Sequence, residues 1–112
     1  MDLRSRSEDS LQVVSVCDSR IDAAVAIEFK EAMRTTTEGG NDVVILDLSQ
    51  VEFIDSSGLG AIVAAMKQMG QARKLALAGL TPTVEKVFRL TRMDSVFPVF
   101  ATLDGAISEL KA

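Results

Sequence analysis

The sequence predicts an α/β fold in which a mixed β-sheet is flanked by about four helices. Apolar runs of strand length alternate along the chain with segments of helical periodicity, an order typical of a partly parallel sheet. The run VVILDL at 43–48 is almost continuously apolar, as expected for a strand covered on both faces. The 112 residues, 47% of them apolar, suit one domain spanning 1–112.

The first half of the chain is predicted to contain a hairpin and a helix before this central strand. Residues 2–8 alternate loosely, which indicates an edge strand, and 11–17 is rich in β-branched residues, which indicates its partner. Helical spacing starts at Asp22, a plausible N-cap, and the glycines at 39–40 end it. After the central strand, a short connection is predicted to turn Phe53 and its apolar neighbours inward.

The second half continues the alternation of helices and strands. A helix is predicted from Ser56 or Ser57 to Met69, because apolar residues recur there at helical spacing, and Gly70 ends it. The run 74–79 is the next strand. The remaining predicted elements are a helix capped by Thr81 with Pro82 in its first turn, a loop at 91–96, an edge strand at 97–100, and a helix capped by Thr102 or Asp104.

The composition excludes several classes of function. A net charge of −4 argues against nucleic-acid binding, because no basic surface would neutralise phosphates. Without histidine, Ser-His-Asp and Cys-His active sites and the common histidine metal sites are excluded, and Cys17 alone supplies no zinc cluster. One cysteine also indicates a reducing cytoplasm. The polar first residues predict no signal peptide, no apolar run is long enough to span a membrane, and no cofactor is expected.

The stretch DSSGLG at 55–60 is the strongest candidate for a functional site. Asp and Ser are common helix caps, so a purely structural role is a reasonable interpretation. The glycines weaken it, because Gly58 and Gly60 lie in the first helical turn, where each costs up to about 1 kcal/mol relative to alanine. They fit a helix start that another backbone approaches closely or that exposes its serines, although packing against a neighbouring strand would also require them.

Two enzymatic interpretations of this stretch fail. A serine nucleophile has no histidine to activate it, and Lys67 lies about three helical turns away. The stretch also lacks the Gly-Lys-Ser/Thr ending of a phosphate-binding P-loop. What remains is a serine that accepts a phosphoryl group. The helix N-terminus would stabilise the phosphate, and its charge of roughly −1.5 to −2 would disturb an acidic or apolar partner contact.

The segment VVILDLSQVEFIDSSGLGAIVAAMKQM at 43–69 resembles the STAS domain (sulfate transporter and anti-sigma factor antagonist), and within it the free-standing bacterial anti-sigma factor antagonists. The resemblance covers almost the whole chain, with the same order of elements. It implies a single STAS-type domain with a mixed sheet flanked by helices. The chain departs from the family at Ser19, since relatives often have a glycine two residues before the hydrophobic-Asp pair that is Ile21 and Asp22 here.

The resemblance also implies function by partner switching. The unphosphorylated antagonist binds an anti-sigma factor that is also a serine-protein kinase, and so releases the sigma factor. Phosphorylation of Ser56 abolishes this binding, and a metal-dependent serine phosphatase restores it. Carried over by motif, the implied partner-binding residues are Asp22, Asp55, Ser56, Ser57, Gly58, Leu59 and Gly60.

Two other hypotheses stay open. A STAS subunit of a lipid-transport or signalling assembly would have a permanent docking surface, with Ser56 only a helix cap. An enzyme is disfavoured by the lack of histidine and of paired acids. Arg20, Arg89 and Arg92 are candidates for contact with a partner, but we interpret each as a solvated surface charge.

Overall fold

A five-stranded mixed sheet organises residues 1–111, the part of the chain that the computed structural model describes. The five strands of this sheet are β1 (Leu3–Glu8), β2 (Leu11–Val16), β4 (Val43–Asp47), β6 (Lys74–Ala78) and β7 (Val99–Phe100). Two further short strands, β3 (Arg20–Ile21) and β5 (Phe53–Ile54), lie outside it. The helices are α1 (Ala26–Thr37), α2 (Ser56–Met69), α3 (Pro82–Leu90) and α4 (Leu103–Leu110). The sheet order is β1-β2-β4-β6-β7, with β1 antiparallel to β2 and the other neighbours parallel. The predicted α/β fold with a mixed sheet is confirmed.

Helices cover both faces of the sheet and create two apolar clusters. α1, α2 and α3 pack on one face, and α4 packs on the other through Ala106. β4 contributes Val44 and Leu46 to the first cluster and Ile45 to the second. All three residues are fully buried, which explains why this strand is a continuous apolar run rather than an alternating one.

A second, smaller sheet was not predicted. It consists of β3 and β5, which pair in parallel with Arg20 beside Phe53 and Ile21 beside Ile54. Alternate residues of a strand point to opposite faces, so Ile54 is buried while Phe53 is 38% exposed. The prediction that Phe53 turns inward is therefore wrong. Strands of two residues have no periodicity by which the sequence could reveal them.

The start of α1 also differs from the prediction. The helix begins at Ala26, and Asp22 opens a turn before it instead of capping it. The carboxylate Oδ1 of Asp22 accepts a hydrogen bond from the Ala24 amide at 3.1 Å, and its carbonyl accepts one from the Val25 amide at 3.0 Å. This local bonding of an aspartate to its own backbone competes with helix formation.

The other helix starts agree more closely with the sequence. α2 begins at Ser56, within the predicted choice. Thr102, rather than Asp104, caps α4 by accepting a bond from the Gly105 amide at 3.0 Å. Thr81 precedes α3 as predicted, although its side chain does not cap the helix. A 3₁₀ turn at Met93–Ser95 replaces part of the predicted loop.

Candidate functional site

The candidate site is the N-terminus of α2, held against the strand pair β3–β5. The Asp55 amide donates to the Ile21 carbonyl at 3.4 Å. A Cβ atom on Gly58 would lie 1.9 Å from the same carbonyl oxygen. Only glycine therefore allows α2 to begin this close to β3, so the alternative that packing against a neighbouring strand requires a glycine holds at Gly58.

Asp55 caps α2 and at the same time ties it to the turn at 22–25. Its Oδ1 accepts from the Gly58 amide at 2.8 Å, and its Oδ2 accepts from the Ala23 amide at 3.1 Å. The bond from Gly58 is the main cause that lowers the pKa of the Asp55 carboxyl, and the bond from Ala23 lowers it further. Asp55 is thus a carboxylate at neutral pH, and both of its oxygens are used within the molecule.

Ser56 and Ser57 are exposed at the first turn of α2. Neither hydroxyl has a hydrogen-bond partner among residues 1–111. Gly60 is exposed as well, and a Cβ atom added there would have no neighbour within 4 Å. Gly60 differs in this from Gly58, because nothing in the described part of the chain requires a glycine at position 60.

The remaining predicted residues divide between the core and the surface. Leu59 is half-buried and packs against the larger apolar cluster. Asp22 is half-buried in the turn before α1, close to Asp55 because the Asp55 carboxylate binds the amide of Ala23. The structure therefore brings the turn at 22–25 and the start of α2 together as one surface.

Sequence reasoning missed two residues of this surface. The Arg20 Nε donates to Oδ2 of Asp22 at 3.0 Å. The Arg20 guanidinium carbon lies 4.5 Å from the ring centroid of Phe53, within the range of a cation–π contact. No local signal in the sequence could have indicated this contact, because it depends on the pairing of β3 with β5, which are more than thirty residues apart.

The match to known proteins identifies the fold family. The model of the STAS domain matches residues 5–106. The chain belongs to the STAS domain family. This STAS chain is 28% identical over 100 residues to the anti-sigma-B factor antagonist of Listeria monocytogenes, covering 88% of this chain and 86% of that protein.

Two further similarities are of the same kind. The STAS chain is 28% identical over 91 residues to the anti-sigma-F factor antagonist RsfB of Mycobacterium tuberculosis, covering 81% of this chain and 75% of that one. It superposes on the crystal structure of an anti-sigma factor antagonist from Mycobacterium paratuberculosis with a TM-score of 0.88 and 27% identity, over 99% of this chain and 94% of that one. These matches extend over most of each protein.

Neither a metal centre nor a membrane span is found in the described STAS structure. Within residues 1–111, no group of three or more His, Cys, Asp or Glu side chains is arranged to hold a metal ion. None of the helices in this range is both long enough and apolar enough to cross a membrane.

Proposed function

We propose that this STAS protein is an anti-sigma factor antagonist that is controlled by phosphorylation of Ser56. Its unphosphorylated form binds an anti-sigma factor that is also a serine-protein kinase, and the sigma factor is released. The names of its relatives support an anti-sigma factor as the partner. The structural support is the state of Ser56, which is exposed at the first residue of α2 with a hydroxyl that has no hydrogen-bond partner within residues 1–111.

The cap geometry favours a phosphoacceptor over a structural serine. Asp55, not Ser56, accepts the hydrogen bond that caps α2. The hypothesis that Ser56 serves only as a helix cap, as in a permanent transport or signalling subunit, therefore has no support from the bonding at the site. In the transfer step, the Ser56 oxygen bonds to the γ-phosphorus of ATP while the bond from that phosphorus to the β,γ-bridging oxygen breaks. ADP leaves with the bridging oxygen, and the hydroxyl proton passes to solvent.

A phosphate on Ser56 would weaken docking without unfolding the domain. The dipole and the amide groups at the start of α2 favour an anion there. A bound partner, in contrast, would meet a new charge of roughly −1.5 to −2 beside the Asp55 carboxylate. Two unit charges 4 Å apart repel by about 4 kcal/mol at an effective dielectric near 20, which corresponds to roughly a thousandfold loss of affinity.

In this proposal the protein is a binding module rather than an enzyme. The kinase activity belongs to the anti-sigma factor, and a metal-dependent serine phosphatase removes the phosphate and restores binding. The surface formed by Asp22, Asp55, Ser56, Ser57, Gly58, Leu59 and Gly60 docks the partner, with Gly58 and Leu59 supporting it from below. The exchange takes place in the cytoplasm.

A capture experiment from lysate of the source organism tests this function. The baits are the wild type, Ser56→Ala, Ser56→Asp and Ser108→Asp, and mass spectrometry identifies the retained proteins. Ser108→Asp is the matched control, because it adds the same charge to an exposed helical serine on α4, across the sheet from α2. We expect a kinase-like anti-sigma factor on every bait except Ser56→Asp.

Retention of the partners by Ser56→Asp would contradict this proposal. If Ser56→Asp retains the same partners as the other baits, Ser56 does not control binding. The hypothesis of a permanent subunit in a transport or signalling assembly would then take first place.

A further inference from the structure

Arg20 makes two side-chain contacts on β3, the strand that lies beside the start of α2. Its Nε is bonded to Asp22 at 3.0 Å, and its guanidinium lies over the ring of Phe53 at 4.5 Å from the centroid. Phe53 is three residues before Ser56 in the sequence. The ion pair and the aromatic contact restrain the guanidinium from two directions, while the side chain remains 59% exposed. A restrained arginine loses less conformational freedom when it binds a partner.

The carboxylates of this surface have hydrogen-bond partners within the chain, whereas part of the Arg20 guanidinium does not. Both carboxylate oxygens of Asp22 are bonded, one to Ala24 and one to Arg20, and both oxygens of Asp55 accept backbone amides. Neither Nη atom of Arg20 has a partner anywhere in residues 1–111. The acids of the surface are therefore satisfied, whereas the four N–H donors on the Nη atoms of its arginine are available.

We infer that Arg20 determines partner specificity. The protein that docks on the surface formed by the turn at 22–25 and the start of α2 presents a carboxylate to the Nη atoms of Arg20. This inference rests on the proposed function and names the chemistry of one contact in it. Arginine pairs with a carboxylate through two parallel hydrogen bonds, and such arginines are enriched among the residues that dominate binding energy. A partner with a lysine or arginine at this point is rejected by like charge.

Arg89 provides a matched control for Arg20. Its side chain is also 59% exposed, and it also makes one ion pair, with Glu85 at 3.3 Å. It lies on α3 and has no aromatic contact among the described residues. Replacing either arginine by glutamate changes the charge by two units at equal exposure, so the two replacements differ in position and in the contact with Phe53.

The test is a calorimetric titration of the purified chain against the purified partner that the wild type retains in the capture experiment. We expect Arg20→Glu to lower the affinity by about a hundredfold, since a desolvated charge pair becomes a repulsive one. Arg20→Lys keeps the charge but loses the planar fork, and we expect about a tenfold loss. Arg89→Glu should remain within about threefold of the wild type, as expected for an exposed pair.

A charge exchange identifies the carboxylate. Replacing the partner's contacting Asp or Glu by arginine should weaken binding to the wild type and restore binding to Arg20→Glu. Equal affinities for Arg20→Glu and Arg89→Glu would overturn the inference. Ser56→Asp is titrated in parallel: if it binds normally, the proposed function fails, whereas its loss of binding together with an unaffected Arg20→Glu removes only the inference. Thermal unfolding of every variant verifies that each is folded.

Discussion

Gly58 and Gly60 are two residues apart in the same helix, yet their surroundings are opposite. A Cβ atom on Gly58 would lie 1.9 Å from the Ile21 carbonyl oxygen, whereas one on Gly60 would meet nothing within 4 Å. In intrinsic helix propensity, glycine is less favourable than alanine by a similar amount at both positions. The fold explains the first glycine, whereas nothing within residues 1–111 requires the second, which the proposed docking of a partner would use.

This contrast separates the residues of a six-residue motif that the fold itself uses from those that only the proposed docking would use. Asp55 and Gly58 have roles within the fold. Asp55 caps α2, and Gly58 leaves the space that the backbone of β3 occupies. Ser56 and Gly60 are used by nothing in residues 1–111. The proposed docking surface therefore consists of exposed residues held in place by the other members of the motif.

The largest effect is expected for Gly58→Ala. The added methyl group cannot fit beside the Ile21 carbonyl, so either α2 or β3 must move. We expect a loss of about 3 kcal/mol in the free energy of unfolding, at the upper end of the range for overpacked sites. Urea denaturation of Gly58→Ala and wild type would measure it. Wild-type stability in Gly58→Ala would show that this close approach does not exist.

A smaller, pH-dependent effect is expected for Asp55→Asn. The pKa of the Asp55 carboxyl is lowered in the folded protein, chiefly by the bond from Gly58, so the ionised group contributes stability above its unfolded pKa, near 3.9. That contribution is lost as the pH falls through the lower, folded pKa. Thermal unfolding should therefore show Asp55→Asn less stable than wild type at pH 7, with the difference shrinking as the pH falls below about 4. A difference that is constant over this range would contradict the ionised cap.

The smallest change in stability, and one of opposite sign, is expected for Gly60→Ala. An exposed helical glycine gains up to about 1 kcal/mol on replacement by alanine when no contact is disturbed. The same denaturation experiment should show Gly60→Ala to be more stable than wild type. Destabilisation would mean that Gly60 has a structural role after all.

Gly60 also allows a test of docking that does not depend on charge. Gly60→Leu should fold, because the space around it is open, but should block the close approach of a partner. Lys67→Leu is the control, since Lys67 is exposed on the same side of α2 two turns further along. Partner binding that survives in Gly60→Leu as well as in Lys67→Leu would remove Gly60 from the docking surface.

The sequence predicted those parts of the fold that have strong periodicity. The apolar run of β4, the spacing of α2 and the threonine before α4 led to correct elements. The pairing of β3 with β5 was missed, because two-residue strands have no pattern and are joined only by long-range contacts. Asp22 was wrongly taken as a helix cap, because an aspartate that begins a turn looks the same in the sequence.

The motif led to the candidate site, but the sequence did not show which of its residues have contacts within the fold. The two glycines look alike in the sequence, and the difference between them depends on where β3 lies. The same is true of the three arginines interpreted as surface charges. Only Arg20 is found against an aromatic ring among the described residues, because only its strand pairs with β5.

The most direct test of the central claim is to map the phosphate that the captured kinase transfers to this chain. The purified chain would be incubated with that partner and ATP, with Ser56→Ala and Ser57→Ala in parallel, and analysed by mass spectrometry and by size-exclusion chromatography. We predict one phosphate, on Ser56, in wild type and Ser57→Ala, with dissociation of the complex, and none in Ser56→Ala, whose complex persists. A phosphate on Ser57, or a complex that survives phosphorylation of Ser56, would contradict it.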